Sequence, residues 1–154
     1  MIRSLLVYGF IHFSALAIGG IATSRGVREW YPTLQLAPWT PPGWFFGFAW
    51  TTIMVLLTIL CAKTIPLNRL FQWGNPLITF YWIHLLLNIA WNYCFFWMRS
   101  PALGLIELSL FYFVLVVMSY YFIREWKASI FFLLPYLLWG LVALSLNTYI
   151  WIKN

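Results

Sequence analysis

Five nearly uncharged apolar runs, each close to the roughly 20 residues that cross a bilayer as a helix, leave this chain few folds to adopt. They cover about Ser4 to Ala22, Pro42 to Ala62, Asn75 to Met98, Ser100 to Ile123 and Ala128 to Ile152. None alternates apolar and polar residues as the strands of a membrane barrel do. Two runs open on a capping residue followed by proline, Asn75-Pro76 and Ser100-Pro101, which is a helix-start signal. The expected fold is all-α: an integral membrane bundle of five transmembrane helices forming one domain over residues 1–154.

Composition agrees. The chain is 64% hydrophobic and only 8% charged, against about 25% charged in soluble domains. A net charge of +6 suggests nucleic acid, but the nine Lys/Arg fall singly or in pairs between apolar runs and make no basic patch. They read as membrane-flanking charges. Arg3, Lys63, Arg69, Arg124 and Lys127 lie on the side of the N-terminus, and Arg25, Arg28, Arg99 and Lys153 on the other. That small excess favours a cytoplasmic N-terminus. Cys61 and Cys94 sit inside apolar runs, where small buried hydrophobes are expected rather than a disulfide. The first run lacks a cleavage site followed by soluble sequence, so no cleavable signal peptide is expected.

The long connection between the first two runs is unlike a spacer. Trp30 to Trp50 holds four of the eight prolines and four of the eleven tryptophans. Each proline fixes its own φ and pushes the preceding residue toward extended geometry, so the segment is stiff. Two readings stay open: a cover folded over an aromatic cavity, or an aromatic belt at the membrane interface.

Polar residues inside the runs are costly and informative. His84, Asn88 and Asn92 recur at every fourth position and share a face of the third helix, with Tyr81, Trp91 and Phe95 close to it. Glu107 lies about 9 Å into the fourth helix. Tyr136, Trp139, Gly140, Ala143 and Asn147 share a face of the fifth, which Pro135 is expected to bend. Interhelical hydrogen bonding accounts for each polar residue taken alone; the facing aromatics and the proline-rich connection together point to a pocket. No lysine stands in mid-membrane to form a Schiff base. No cluster of His, Asp and Glu suits a metal. Haem ligation by His12 and His84 has no fixed spacing behind it. The runs carry no internal repeat of the kind coupled transporters use.

Several motifs carry a resemblance. W-Y-x-x-L-x-x-x-P-W-x-P-P at Trp30–Pro42, with Gly43 following, resembles the signature of the TspO/translocator protein family of tryptophan-rich sensory proteins and peripheral-type benzodiazepine receptors. N-x-x-W-N at Asn88–Asn92, A-L-G-L-I-E at Ala102–Glu107, P-Y-L-L-W at Pro135–Trp139 and Leu146-Asn147 match it as well, and in the same order. The resemblance implies a five-helix bundle whose first connection acts as a lid over a pocket for porphyrins, haem-related tetrapyrroles and benzodiazepine-type ligands. It places Tyr31, Pro41, Trp50, Asn88, Trp91, Trp139 and Ala143 at ligand-binding positions. Val142 stands where animal members favour Phe, so ligand preference is expected to differ from theirs. Leu146 to Lys153 fits a proposed cholesterol motif that also arises readily by chance.

The expected role is binding and sensing of a tetrapyrrole, as a ligand that is not covalently held. Light- and oxygen-dependent porphyrin breakdown, with Trp50 and Trp139 as the oxidisable groups, is a second expectation implied by the resemblance. Transport of a tetrapyrrole, lipid or sterol is the alternative. Expected partners are a flat apolar small molecule, membrane lipid and a second copy in a homodimer, with no nucleic acid and no metal. The expected location is a bacterial cell membrane. Arg25 and Arg28 stand near the connection, where a cation meets a carboxylate edge or serves as an ordinary flanking charge.

Overall fold

Helix starts follow the local chemistry. The Asn75 side chain accepts the amide of Leu77 at 2.9 Å, and Ser100 accepts that of Leu103 at 3.2 Å, each with proline at the first helical position. The computed structural model describes every residue from Met1 to Asn154, and it contains helices and turns but no strand. The helices are α1 (Ile2–Glu29), α2 (Gly43–Thr64), α3 (Pro76–Asn92), α4 (Pro101–Glu125) and α5 (Ser129–Lys153), with short 3-10 turns at Tyr31–Thr33 and Leu67–Arg69. Four of them, α1, α2, α4 and α5, are long and apolar enough to cross a membrane.

The third is different. Regular α3 stops after 17 residues and passes directly into a π turn, Tyr93–Trp97, closed by the Met98 amide on the Tyr93 carbonyl at 2.9 Å. An uninterrupted helix to Met98 was the expectation; the side chain of Asn92 explains the change. Its amide donates to the Asn88 carbonyl at 2.9 Å while its oxygen accepts from Thr23 of α1 at 2.7 Å. A side-chain donor inserted into the backbone ladder widens the helix there. Together the two pieces reach spanning length.

Helix α1 also departs from expectation, running on to Glu29 rather than ending near Ala22. The extra turns are held by packing and not by hydropathy. A Cβ on Gly26 would come 2.7 Å from the Cβ of Phe96, so only glycine lets α1 lie this close to the π turn. At Gly140 the same closeness admits α4: an added Cβ would meet the ring of Tyr112 at 2.6 Å.

Helix contacts close a ring in the order α1, α2, α5, α4, α3 and back to α1. The end nearer the N-terminus is filled by Tyr8, Leu60, Leu77, Tyr81, Leu115, Met118, Phe122 and Leu133. At the other end the connection from Trp30 to Pro42 crosses to α5. Trp39 donates to Ser145 at 3.2 Å and meets the Tyr149 ring edge-on at 5.3 Å, and Gln35 exchanges backbone bonds with the Asn154 side chain.

Candidate ligand cavity between the helices

Four helices each supply two side chains, one helical turn apart, to a cavity inside the ring. They are Phe46 and Trp50 from α2, Asn88 and Trp91 from α3, Leu108 and Phe111 from α4, and Trp139 and Ala143 from α5. Asn88 is the one polar group in the lining. Trp139 meets Phe46 edge-on at 5.4 Å, Trp50 meets Tyr136 edge-on at 5.9 Å, and Trp91 stacks on Phe95 at 5.4 Å with the planes 10° apart. Such aromatic pairs add about 0.5–1.5 kcal/mol beyond area burial.

The polar frame behind the lining is well bonded. Asn88 donates to the Tyr136 hydroxyl at 3.0 Å, and that hydroxyl lies 2.8 Å from Nε2 of His84. Trp91 donates through Nε1 to Asn147 at 3.2 Å, and Asn147 donates in turn to the Pro101 carbonyl at 3.0 Å. Asn147 thereby ties α3, α4 and α5 together just beyond the cavity. Four groups stand apart: Nε1 of Trp139, both carboxyl oxygens of Glu107, Nδ1 of His84 and the Thr40 hydroxyl are buried without a hydrogen-bond partner.

Of the positions expected to bind ligand, Trp50, Asn88, Trp91, Trp139 and Ala143 meet at this cavity. Tyr31 does not line it. Its ring packs on Phe95 and Phe96 at 6.4 and 5.8 Å, one ring removed from Trp91, and burial raises its phenol above the usual pKa. Pro41 is half-buried in the turn before α2, also outside the lining. Phe46, Leu108 and Phe111 were not anticipated. Phe46 had a signal, since it stands one helical turn before Trp50; the α4 pair sits in a run apolar all round, where periodicity marks no face. Val142 is exposed on the outer side of α5, so its difference from animal members bears on the lipid-facing surface and not on the lining.

The stripe of polar residues on α3 divides its duties. His84 and Asn88 turn to Tyr136, whereas Asn92 turns to α1. His12 has both ring nitrogens engaged, Nδ1 with Thr58 at 2.9 Å and Nε2 with Tyr81 at 3.0 Å, and so acts as a bridge between helices rather than a free ligand. In the cholesterol-type motif Leu146 is buried, so its three key side chains do not share one lipid-facing strip.

The enclosed volume is about 30 Å³. One water needs about 10–15 Å³ on this scale, whereas small-molecule pockets run to about 300–1,000 Å³. The cavity is therefore narrow: an apolar seam between aromatic faces that admits a flat molecule only when its walls part.

A profile of the TspO/MBR family matches residues 7–152. The chain is 31% identical over 129 residues to the tryptophan-rich protein TspO of Chlorobaculum tepidum, covering 84% of this chain and 82% of that one. It is 32% identical over 136 residues to the tryptophan-rich protein TspO of Archaeoglobus fulgidus, covering 88% and 87%. With the tryptophan-rich sensory protein of Cereibacter sphaeroides it shares 31% identity over 142 residues, covering 90% and 86%.

Proposed function

This chain belongs to the TspO/MBR family, and on that premise we propose that it binds and senses tetrapyrroles in the membrane, holding them in the cavity between α2, α3, α4 and α5. It is an integral membrane protein by its apolar helices and its family, and its bacterial relatives support a bacterial membrane. The single observation that carries the ligand reading is the lining. Three indoles and two phenyl rings from four helices surround one amide, which suits a broad apolar disc with a polar edge. Ring faces stack on the disc, and Asn88 hydrogen-bonds its edge.

The connection from Trp30 to Pro42 acts in this reading as the lid. Its side-chain attachments to α5 are the Trp39–Ser145 bond, the Gln35–Asn154 pair and the Trp39–Tyr149 ring contact, and these bonds are exposed. Releasing them costs little, because net hydrogen-bond contributions are about 0.5–1.5 kcal/mol each. The stiffness of the proline-rich segment then moves it as one piece.

Porphyrin titration of the purified protein tests the reading. Saturable quenching of part of the tryptophan fluorescence is the expected result. Quenching that grows linearly with porphyrin and never saturates would reject it.

A second reading is favoured by Trp50 and Trp139 sharing the cavity. A bound porphyrin absorbs light, dioxygen serves as oxidant, and an indole at van der Waals distance is an oxidisable neighbour. Under equal illumination and oxygen, wild type should bleach porphyrin faster than protein-free micelles, and Trp50→Phe or Trp139→Phe should slow this. Equal rates in all samples would leave binding alone.

A further inference from the structure

A second cleft opens where α1 and the π turn emerge from the bilayer, at the end opposite the N-terminus. It encloses about 250 Å³ and is lined by Arg25, Phe96, Trp97 and Arg99. Phe96 separates it from the inner cavity, its other edge meeting Trp91 at 5.6 Å. The two sites are therefore distinct, and a ligand in one does not reach the arginines of the other.

Of the two cations, Arg25 has no carboxylate partner and Arg99 has one. The Arg25 guanidinium lies 5.0 Å over the Trp97 ring, a contact that orients it without neutralising it. Arg99 pairs with Glu29 and has a φ of 51°, the left-handed conformation in which glycine ends a helix without strain. Arginine thus occupies a position where backbone geometry favours glycine, with its side chain at the cleft. With Arg28 on the same end of α1, that end carries three cations and one carboxylate, Glu29, which pairs with Arg99.

The surface below the cleft indicates what fills it. Ile18 and Ile21 precede Arg25 by seven and four residues, so all three lie along one strip of α1, and both isoleucines are exposed. Trp97 and Met98 are exposed beside them. A charged cleft at the interface that continues as an apolar strip into the bilayer matches an amphiphile: a negative head at the arginines and an acyl chain along α1. A free phosphate would use only the first half.

We propose that Arg25, Arg99 and Trp97 form a headgroup site for an anionic phospholipid. The proposal does not depend on the tetrapyrrole reading. The test uses the full chain, purified in detergent and offered an equal mixture of phosphatidylglycerol and phosphatidylcholine with identical acyl chains, with retained lipid counted by native mass spectrometry. Wild type should retain phosphatidylglycerol preferentially. Arg25→Gln and Arg99→Gly should each lower that preference about fivefold. Arg99→Gly should keep its fold, since glycine suits the backbone there, and a thermal melt checks this. Lys153→Gln, on α5 at the same membrane face, should leave the preference unchanged. The proposal is overturned if wild type shows no preference, if Lys153→Gln matters as much as the two arginine variants, or if equimolar inorganic phosphate displaces the lipid.

Discussion

The two ends of the bundle are built to different rules. Toward the N-terminus, His12 bridges α2 and α3 through Thr58 and Tyr81, Tyr8 donates to the Ile65 carbonyl at the end of α2, and Ser129 donates back to the Phe122 carbonyl. Tyr8, Leu60, Tyr81, Leu115, Met118 and Phe122 are fully buried between these bonds. Toward the other end the rings are larger and less fully buried, a cavity remains, and Trp139 and Glu107 bury polar atoms without partners. Within a membrane there is little hydrophobic gain from bringing helices together, so close packing and satisfied polar contacts hold them. The first end has both. The second gives up some of each, which is the condition for parting around a ligand: an end held by fewer satisfied contacts opens at lower cost.

The largest expected effect tests the tight end. Phe122→Ala should destabilise the protein by about 3–5 kcal/mol, the cost of emptying a filled aromatic site. Reversible unfolding in mixed micelles measures it, and porphyrin affinity of the folded fraction should not change. A cost below about 1 kcal/mol, on the same scale, would mean that this end is no better packed than the other.

Next in size is a change at the cavity. Ala143→Leu adds carbon atoms to a space of about 30 Å³. Porphyrin binding should weaken by about 1–3 kcal/mol through overfilling, read by fluorescence titration. Unchanged affinity in a folded variant would move the ligand elsewhere.

The fold and part of the cavity were legible in the sequence, though the division between the two ends was not. The five apolar runs, the two Pro-led helix starts and the aromatic connection are local patterns, and each appears close to its expected place. Trp50, Asn88, Trp91, Trp139 and Ala143 follow from the sequence, three of them within matched motifs, and Trp50 and Ala143 as positions the family resemblance implies, Ala143 on the helical face it shares with Trp139. What sequence did not reveal depends on contacts between distant residues. The π turn follows from Asn92 reaching both Thr23 and its own ladder, which spacing alone does not predict. The overrun of α1 depends on Gly26 meeting Phe96. Leu108 and Phe111 stayed hidden because a helix that is apolar on every side has no distinguishable inner face.

A smaller effect is expected between the two regions. Tyr136→Phe removes the hydroxyl shared by Asn88 and His84. At about 0.6 kcal/mol for each membrane hydrogen bond, the loss should be about 1 kcal/mol. Because the freed Asn88 amide faces the cavity, porphyrin affinity should hold or rise while stability falls. A parallel fall in both would show that Tyr136 positions the ligand site and does not merely brace it.

The smallest effect separates two indoles that line the same cavity. Trp91 donates its N–H to Asn147, whereas the buried N–H of Trp139 has no partner. Phenylalanine at position 91 therefore loses a hydrogen bond and leaves the Asn147 oxygen without that donor. At position 139 the same change relieves an unsatisfied donor while removing ring area. The first substitution should cost more than the second by about 0.6 kcal/mol, resolvable only by paired unfolding curves collected together. Porphyrin affinity should rank the other way. A buried N–H left free in the closed state is available to a ligand acceptor, so Trp139→Phe should weaken binding more than Trp91→Phe. If Trp139→Phe is the costlier change for stability and the milder one for binding, its unpaired N–H has no part in recognition, and the looser end of the bundle is simply less well packed.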